Sequence, residues 1–133
     1  MRKLSLESIV KFLLSLAASA SLAACAYVML SRMAYPFELE WMEGGSLVHV
    51  WRILNGLPLY TPPSIDFMPF IYQPFYYVVS AFFALFTGFS FLPLRLVSSL
   101  STLLVIILLY RFTTRETGDR WLGVIAAGLF AGT

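Results

Sequence analysis

The residues best suited to chemistry gather in one polar stretch that follows the first apolar run. Three carboxylates fall within six residues, and the chain's only histidine lies close behind them. A positioned carboxylate can take a proton from a hydroxyl group, which makes general acid–base catalysis the chemistry to consider. Membrane anchoring does not explain the acids, because interfaces favour Trp, Tyr, Lys and Arg. The candidates are Glu38, Glu40, Glu43, His49, Arg52 and Asp66.

A short amphipathic helix is predicted directly after the acids. Following Gly44-Gly45, apolar residues recur at helical spacing on a single face, at Leu47, Val50, Trp51 and Leu54. His49 and Arg52 fall off that face, and Asn55-Gly56 is a typical helix stop. We expect this helix to lie flat on the outer membrane surface. Glu43 precedes it, so the competing interpretation of Glu43 is a charge that caps the helix dipole.

The composition points to a membrane protein. Of the 133 residues, 59% are apolar and 12% are charged, against about 45–50% and about 25% in soluble domains. The net charge of +2 is too small to suggest nucleic-acid binding. One cysteine and one histidine argue against a disulfide framework and a zinc site. No cofactor or metal motif is present.

Gaps between charges predict where the chain crosses the bilayer. A crossing needs about 20 apolar residues, and the expected spans are about 12–31, 74–88 and 94–110. An apolar run at 121–133 is too short and resembles a span cut in half. The predicted fold is an all-α polytopic membrane protein with three complete transmembrane helices and a truncated fourth. Residues 1–133 would form a single membrane domain, the N-terminal part of something larger.

The basic residues predict the orientation. Arg2, Lys3 and Lys11 precede the first span, which favours a cytoplasmic N-terminus in a multi-pass plasma-membrane protein. The loop at 32–70 would then lie outside. The loop at 111–120 would also lie outside, and its three arginines conflict with the positive-inside rule. Arg95, at the start of the third span, would snorkel to the interface.

The N-terminus has a second interpretation as a cleaved signal peptide. Leu22-Ala23-Ala24-Cys25 is similar to a bacterial lipoprotein cleavage site, which would leave a lipidated Cys25. The apolar run continues past Cys25, however, where a lipoprotein normally turns polar. A first span rich in small residues, which allow close helix packing, is the simpler explanation.

The order of these parts resembles the N-terminal part of integral-membrane glycosyltransferases of the GT-C type. The nearest branch includes protein O-mannosyltransferases, lipid A aminoarabinose transferases and rhizobial lipopolysaccharide sugar transferases. The likeness covers nearly the whole chain. The segments that carry it are Glu40–Gly45 (EWMEGG), Arg52–Tyr60 (RILNGLPLY), Gln73–Tyr77 (QPFYY) and Leu94–Ser98 (LRLVS).

The resemblance implies sugar transfer from a polyprenyl-phosphate-linked donor to a glycan, lipid or protein acceptor on the outer face of the membrane. An acidic pair in the first outer loop would be catalytic, which indicates Glu43 first, Glu40 second and Asp66 third. Met42 stands where the family usually has the Asp of that pair, and Gln73 stands where relatives often have Lys. Membrane lipid is a further expected partner, and nucleic acid is not. The residues expected to contact substrate are Arg52, Asp66, Tyr72 and His49. Tyr72 has a competing interpretation, because together with Tyr76 and Tyr77 it is typical of an aromatic belt at the membrane interface.

Two other classes of function compete. A small, non-catalytic membrane protein could act as a partner or assembly subunit, with the three acids as a docking patch. A channel or transporter has less support, because its usual mark is charge inside the spans and only Arg95 comes near.

Overall fold

The computed structural model describes residues 5–133, so the predictions for Arg2 and Lys3 lie outside the described residues. The described part is all-helical, as predicted, and contains no β-strand. Its helices are α1 (Leu6–Met33), α2 (Glu43–Leu54), α3 (Phe75–Thr87), α4 (Leu92–Thr117) and α5 (Arg120–Ala131).

Only two of these helices are long and apolar enough to cross a membrane. With 28 and 26 residues, α1 and α4 are about 42 Å and 39 Å long at 1.5 Å per residue. With 13 and 12 residues, α3 and α5 reach about 20 Å and 18 Å, short of a bilayer core about 30 Å thick. The prediction of three complete spans and a truncated fourth is therefore wrong.

The error lies in the second predicted span. The structure begins α3 after Pro74 and ends it at Gly88, whose φ of 84° stops the helix. These bounds are close to the predicted ones. A long run without charge is not sufficient for crossing, because the prolines before the helix and the turn after it leave too few helical residues.

The second correction concerns α4. A charged loop was expected at 111–120, yet α4 continues through it to Thr117. No glycine or proline interrupts the chain between Pro93 and Gly118, so nothing breaks the backbone hydrogen-bond ladder. Gly118 then adopts a φ of 71°, and its N–H bonds to the Thr114 carbonyl, which ends the helix.

The chain forms two compact units. One comprises residues 31–100, called the polar unit here, and the other comprises residues 5–30 and 101–133, called the helical unit. In the polar unit, α2 packs on α3 around a buried cluster that also includes the start of α4. The buried members of the cluster are Val50, Tyr77, Ala81, Ala84 and Leu94.

The helical unit is held by close approach of small residues. An added Cβ at Gly128 would lie 2.4 Å from Ala18 Cβ, and one at Gly123 would lie 2.9 Å from the Tyr110 carbonyl oxygen. Helix α5 therefore packs tightly against both α1 and the end of α4. Small residues let helix backbones come this near, which increases van der Waals contact.

Polar contacts in the helical unit fix the direction of its helices. Near the start of α1, the Ser15 hydroxyl accepts a hydrogen bond of 2.8 Å from Trp121 Nε1. Lys11 Nζ lies 5.9 Å from the centre of the same indole ring. Because Trp121 follows the end of α4 by four residues, the beginning of α1 and the end of α4 lie at the same end of this unit.

Candidate functional site

The centre of the polar unit is Arg95, in the first turn of α4. The sequence placed it at a membrane interface, but only 8% of it is exposed. Its Nη1 donates to the carbonyl oxygens of Arg32, at 3.0 Å, and Tyr35, and its Nη2 donates to that of Phe37 at 2.7 Å. The guanidinium thus bonds to the last turn of α1 and to the chain that follows it. The snorkelling prediction is wrong, because the side chain turns into the protein.

Glu43 completes the surroundings of Arg95. Arg95 Nε lies 2.7 Å from Glu43 Oε1 and Nη2 lies 2.8 Å from Oε2, which is a bidentate ion pair. Together with the three carbonyls, the carboxylate uses all five N–H donors of the guanidinium. Such paired, charge-assisted hydrogen bonds are roughly twice as strong as those between neutral groups. The pair joins α4 to the first residue of α2.

This pairing changes the acid–base properties of Glu43. The hydrogen bonds from Arg95 lower the pKa of the Glu43 carboxyl, outweighing the opposite effect of burial, and a bond of 2.8 Å from the Leu39 N–H lowers it further. A carboxylate with a lowered pKa is a weaker base. Glu43 is therefore ionised and well positioned, but poorly suited to accept a proton.

The other two acids of the cluster have different surroundings. Glu38 Oε1 accepts a bond of 2.9 Å from the N–H of Gly44 and so caps the first turn of α2. Glu40 is exposed, and its Oε2 accepts a bond of 3.1 Å from the Met42 N–H. Among the three clustered carboxylates, Glu40 combines solvent exposure with a position on the cleft described next.

A cleft of about 410 Å³ opens in the polar unit between the start of α2, the start of α3 and α4. Carboxylate and tyrosine side chains line this cleft. At its base the Tyr76 hydroxyl donates to the Leu94 carbonyl at 3.1 Å and lies 3.3 Å from Ser98 Oγ. Burial raises the pKa of Tyr76, so the phenol stays protonated. The lining residues are Glu40, Met42, Glu43, Ser46, Tyr72, Gln73, Tyr76, Tyr77 and Ser98.

His49 does not lie off the apolar face as predicted, because it is completely buried. Its Nε2 accepts a bond of 3.0 Å from the Phe70 N–H, so its Nδ1 carries the proton and donates to the Gly45 carbonyl at 2.7 Å. The ring stacks against Tyr77 at 4.7 Å and Phe70 at 5.1 Å. Nδ1 therefore bonds within α2, and Nε2 joins α2 to the segment before α3.

The remaining predicted substrate contacts are not brought together. Arg52 Nε donates to the Pro58 carbonyl at 2.9 Å, and its guanidinium carbon lies 4.0 Å from the centre of the Phe67 ring. Asp66 is exposed and does not line the cleft. Tyr72 does line it, with its hydroxyl 3.9 Å from Met42 Sδ. Of the six predicted site residues, Glu40, Glu43 and Tyr72 share the cleft.

Sequence reasoning did not identify Arg95 as part of the site. Two sequence features together could have indicated Arg95. Three acids lie where membrane anchoring does not explain them, and a lone arginine stands within a long apolar run. A buried carboxylate and a buried guanidinium each need an opposite charge, which would have suggested pairing them.

The residues that the structure describes contain no cluster of side chains suited to binding a metal ion. Within residues 5–133, no three His, Cys, Asp or Glu side chains come close enough to share a metal ion. No known protein family, curated protein or solved structure matches the chain. Its function therefore has to be inferred from the cleft and the sequence pattern.

Proposed function

We propose that the protein is an integral-membrane glycosyltransferase that moves a sugar from a polyprenyl-phosphate-linked donor to an acceptor hydroxyl. The observation that carries the proposal is the cleft of the polar unit, where an exposed carboxylate stands beside a fixed, fully bonded ion pair. The resemblance of the acidic loop, the surface helix and the α4 start to the GT-C pattern supplies the substrate class.

The geometry favours Glu40 over Glu43 as the proton acceptor. The Glu43 oxygens already accept three hydrogen bonds, two from Arg95 and one from Leu39. Glu40 accepts one recorded backbone bond and is exposed at the cleft. In the proposed reaction, the hydroxyl oxygen of the acceptor attacks the anomeric carbon while a Glu40 carboxylate oxygen takes the hydroxyl proton. The lipid phosphate leaves with the electrons of the broken glycosidic bond. Glu43 and Arg95 are positioning residues.

We further propose a two-crossing topology with a cytoplasmic N-terminus. In the helical unit, Lys11 near the start of α1 lies at the same end as the residues that follow α4. If α1 and α4 each cross once, that end carries Lys11 together with Arg111, Arg115 and Arg120. All four then satisfy the positive-inside rule. The conflict raised by the expected outer loop at 111–120 disappears, and residues 34–91 face the outside.

The test uses the protein expressed from its complete reading frame in membranes. Transfer is measured with radiolabelled polyprenyl-phosphate hexose and pentose donors, comparing Glu40→Gln with the matched control Glu116→Gln, an exposed acid away from the cleft. We expect Glu40→Gln to slow transfer by about 10²–10⁴-fold, the usual contribution of general-base catalysis, and Glu116→Gln to leave it unchanged.

Two results would overturn the proposal. Full transfer by a correctly folded Glu40→Gln protein would remove the assigned base. Absence of any transfer by the wild-type protein, together with crosslinking of residues 34–70 to one stoichiometric membrane partner, would favour the assembly-subunit function instead. Labelling of single cysteines at positions 57 and 118 by an impermeant reagent tests the topology separately, with only position 57 expected to react from outside.

A further inference from the structure

The last turns of α4 carry a second cleft, which the proposed reaction does not use. Its volume is about 480 Å³, and it lies within the helical unit. Arg111 and Arg115 stand one turn apart on the same helix face, so their guanidinium groups border one space. The lining residues are Leu108, Tyr110, Arg111, Phe112, Thr114 and Arg115.

Neither arginine has an acidic partner within the described residues. The ion pairs found there join Lys11 to Glu7 and Arg95 to Glu43. Both Arg111 and Arg115 are exposed. Two like charges at this spacing repel one another and weaken the helix. An anion bound between them would remove that repulsion.

An apolar stripe leads along the helix to the two arginines. Leu104, Leu108 and Phe112 recur every four residues and are 56%, 54% and 66% exposed. On a helix that crosses a bilayer, such a stripe contacts acyl chains, and cationic side chains at the helix end reach the headgroup region. The face thus presents a hydrocarbon-binding strip that ends in a pair of phosphate-binding groups.

We propose that Arg111 and Arg115 bind the phosphate of an anionic phospholipid whose acyl chain lies along Leu104, Leu108 and Phe112. Arginine is suited to this role because its planar fork can bond two phosphate oxygens at once. A free phosphate ion offers the same oxygens, but it would make no use of the adjoining stripe. The site requires that α4 crosses the membrane and is independent of sugar transfer.

The experiment reconstitutes the full protein in phosphatidylcholine nanodiscs that contain a small fraction of spin-labelled phosphatidylglycerol. Electron paramagnetic resonance measures the immobilised fraction of this lipid against that of spin-labelled phosphatidylcholine. We expect selective retention of phosphatidylglycerol in the wild type. Each arginine contributes about fivefold in affinity near a membrane surface, so Arg111→Gln with Arg115→Gln should abolish the selectivity.

The matched control is Arg120→Gln, which removes an arginine beside the site but outside the cleft lining. We expect it to keep the selectivity. Equal loss in the control and in the double variant would mean a diffuse charge effect, and it would overturn the proposal. So would unchanged selectivity in the double variant, with circular dichroism verifying its helix content. Displacement of the labelled lipid by inorganic phosphate, but not by chloride at equal ionic strength, would assign the site to a free anion instead.

Discussion

The two units of the chain are held together by opposite means. The polar unit is organised around one guanidinium whose five donors are all occupied, at Glu43 and at three backbone carbonyls. The helical unit relies on glycines that bring backbones into contact, most closely at Gly128 against Ala18. Directional bonds hold an irregular loop in place, whereas close packing joins regular helices.

This difference shows where chemistry can occur. In the polar unit, the ordered loop after α1 leaves one exposed carboxylate, Glu40, on a cleft with aromatic walls. The helical unit offers mainly apolar surface until the basic end of α4. We therefore assign the proposed catalytic function to the polar unit and the proposed lipid contact to the helical unit.

The largest loss of folding stability is expected from Arg95→Met. This change leaves the largely buried Glu43 carboxylate without a counter-charge and three backbone carbonyls without their hydrogen-bond donor. Breaking a buried pair from one side costs about 3–5 kcal/mol. The free energy of unfolding in detergent should fall by that amount, and hydrogen exchange should accelerate in residues 31–60 while the helical unit keeps its protection.

The control for this variant is Arg115→Met, which removes an exposed arginine from the same helix. Its unfolding free energy should change by less than about 0.5 kcal/mol, as for most surface substitutions. Similar losses in the two variants would mean that the Arg95 bonds do not hold the polar unit together.

A smaller loss of folding stability is expected from Gly128→Ala, which changes the packing of the helical unit. The new Cβ would lie 2.5 Å from Ala18 Cα, a backbone atom that cannot turn aside. Helices α1 and α5 must separate, and overpacking of this kind costs about 1–3 kcal/mol. Thermal unfolding measures the loss when it is followed by fluorescence in a Trp41→Phe and Trp51→Phe background, where the signal comes from Trp121, which bonds to Ser15 of α1.

Gly132→Ala is the matched comparison for Gly128→Ala. The atom nearest to the new Cβ at position 132 is the Ser21 hydroxyl oxygen, at 2.8 Å, and this side chain can rotate away. The loss of thermal stability should therefore be smaller for Gly132→Ala than for Gly128→Ala. The reverse order would show that backbone contact does not limit the packing of α1 and α5.

The smallest effect is a pH dependence confined to the polar unit. The pKa of Glu43 is lowered in the folded protein, so its contribution to stability is fully present above the unfolded value of about 4.3. It is lost as the pH falls through the lowered folded value. Hydrogen exchange of residues 37–45 should accelerate in that acidic range, and Glu43→Gln should remove this particular step. A wild-type profile identical to that of Glu43→Gln would contradict the prediction.

The local helices were largely predictable from the sequence. Asn55-Gly56 indicated the end of α2, and Pro74 and Gly88 indicated the bounds of α3, since these residues restrict the backbone wherever they stand. The number of crossings was not predictable from charge gaps alone, because the 28 uncharged residues at 67–94 contain a helix of only 13 residues, α3, before α4 begins at Leu92. The continuation of α4 to Thr117 was not predicted, because a run of charged residues is typical of a loop between spans, although Arg and Glu also favour helix.

The candidate site was predicted only in part, and the reason is distance along the chain. The sequence by itself determined an apolar, all-helical chain with a cluster of acids before a short helix. Which acid is bound and which is exposed was decided by the tertiary structure, because Arg95 lies 52 residues from Glu43. The burial of His49 was decided in the same way by Phe70 and Tyr77. Helical periodicity acts over a few residues, whereas the partners of buried polar groups come from wherever the fold brings them.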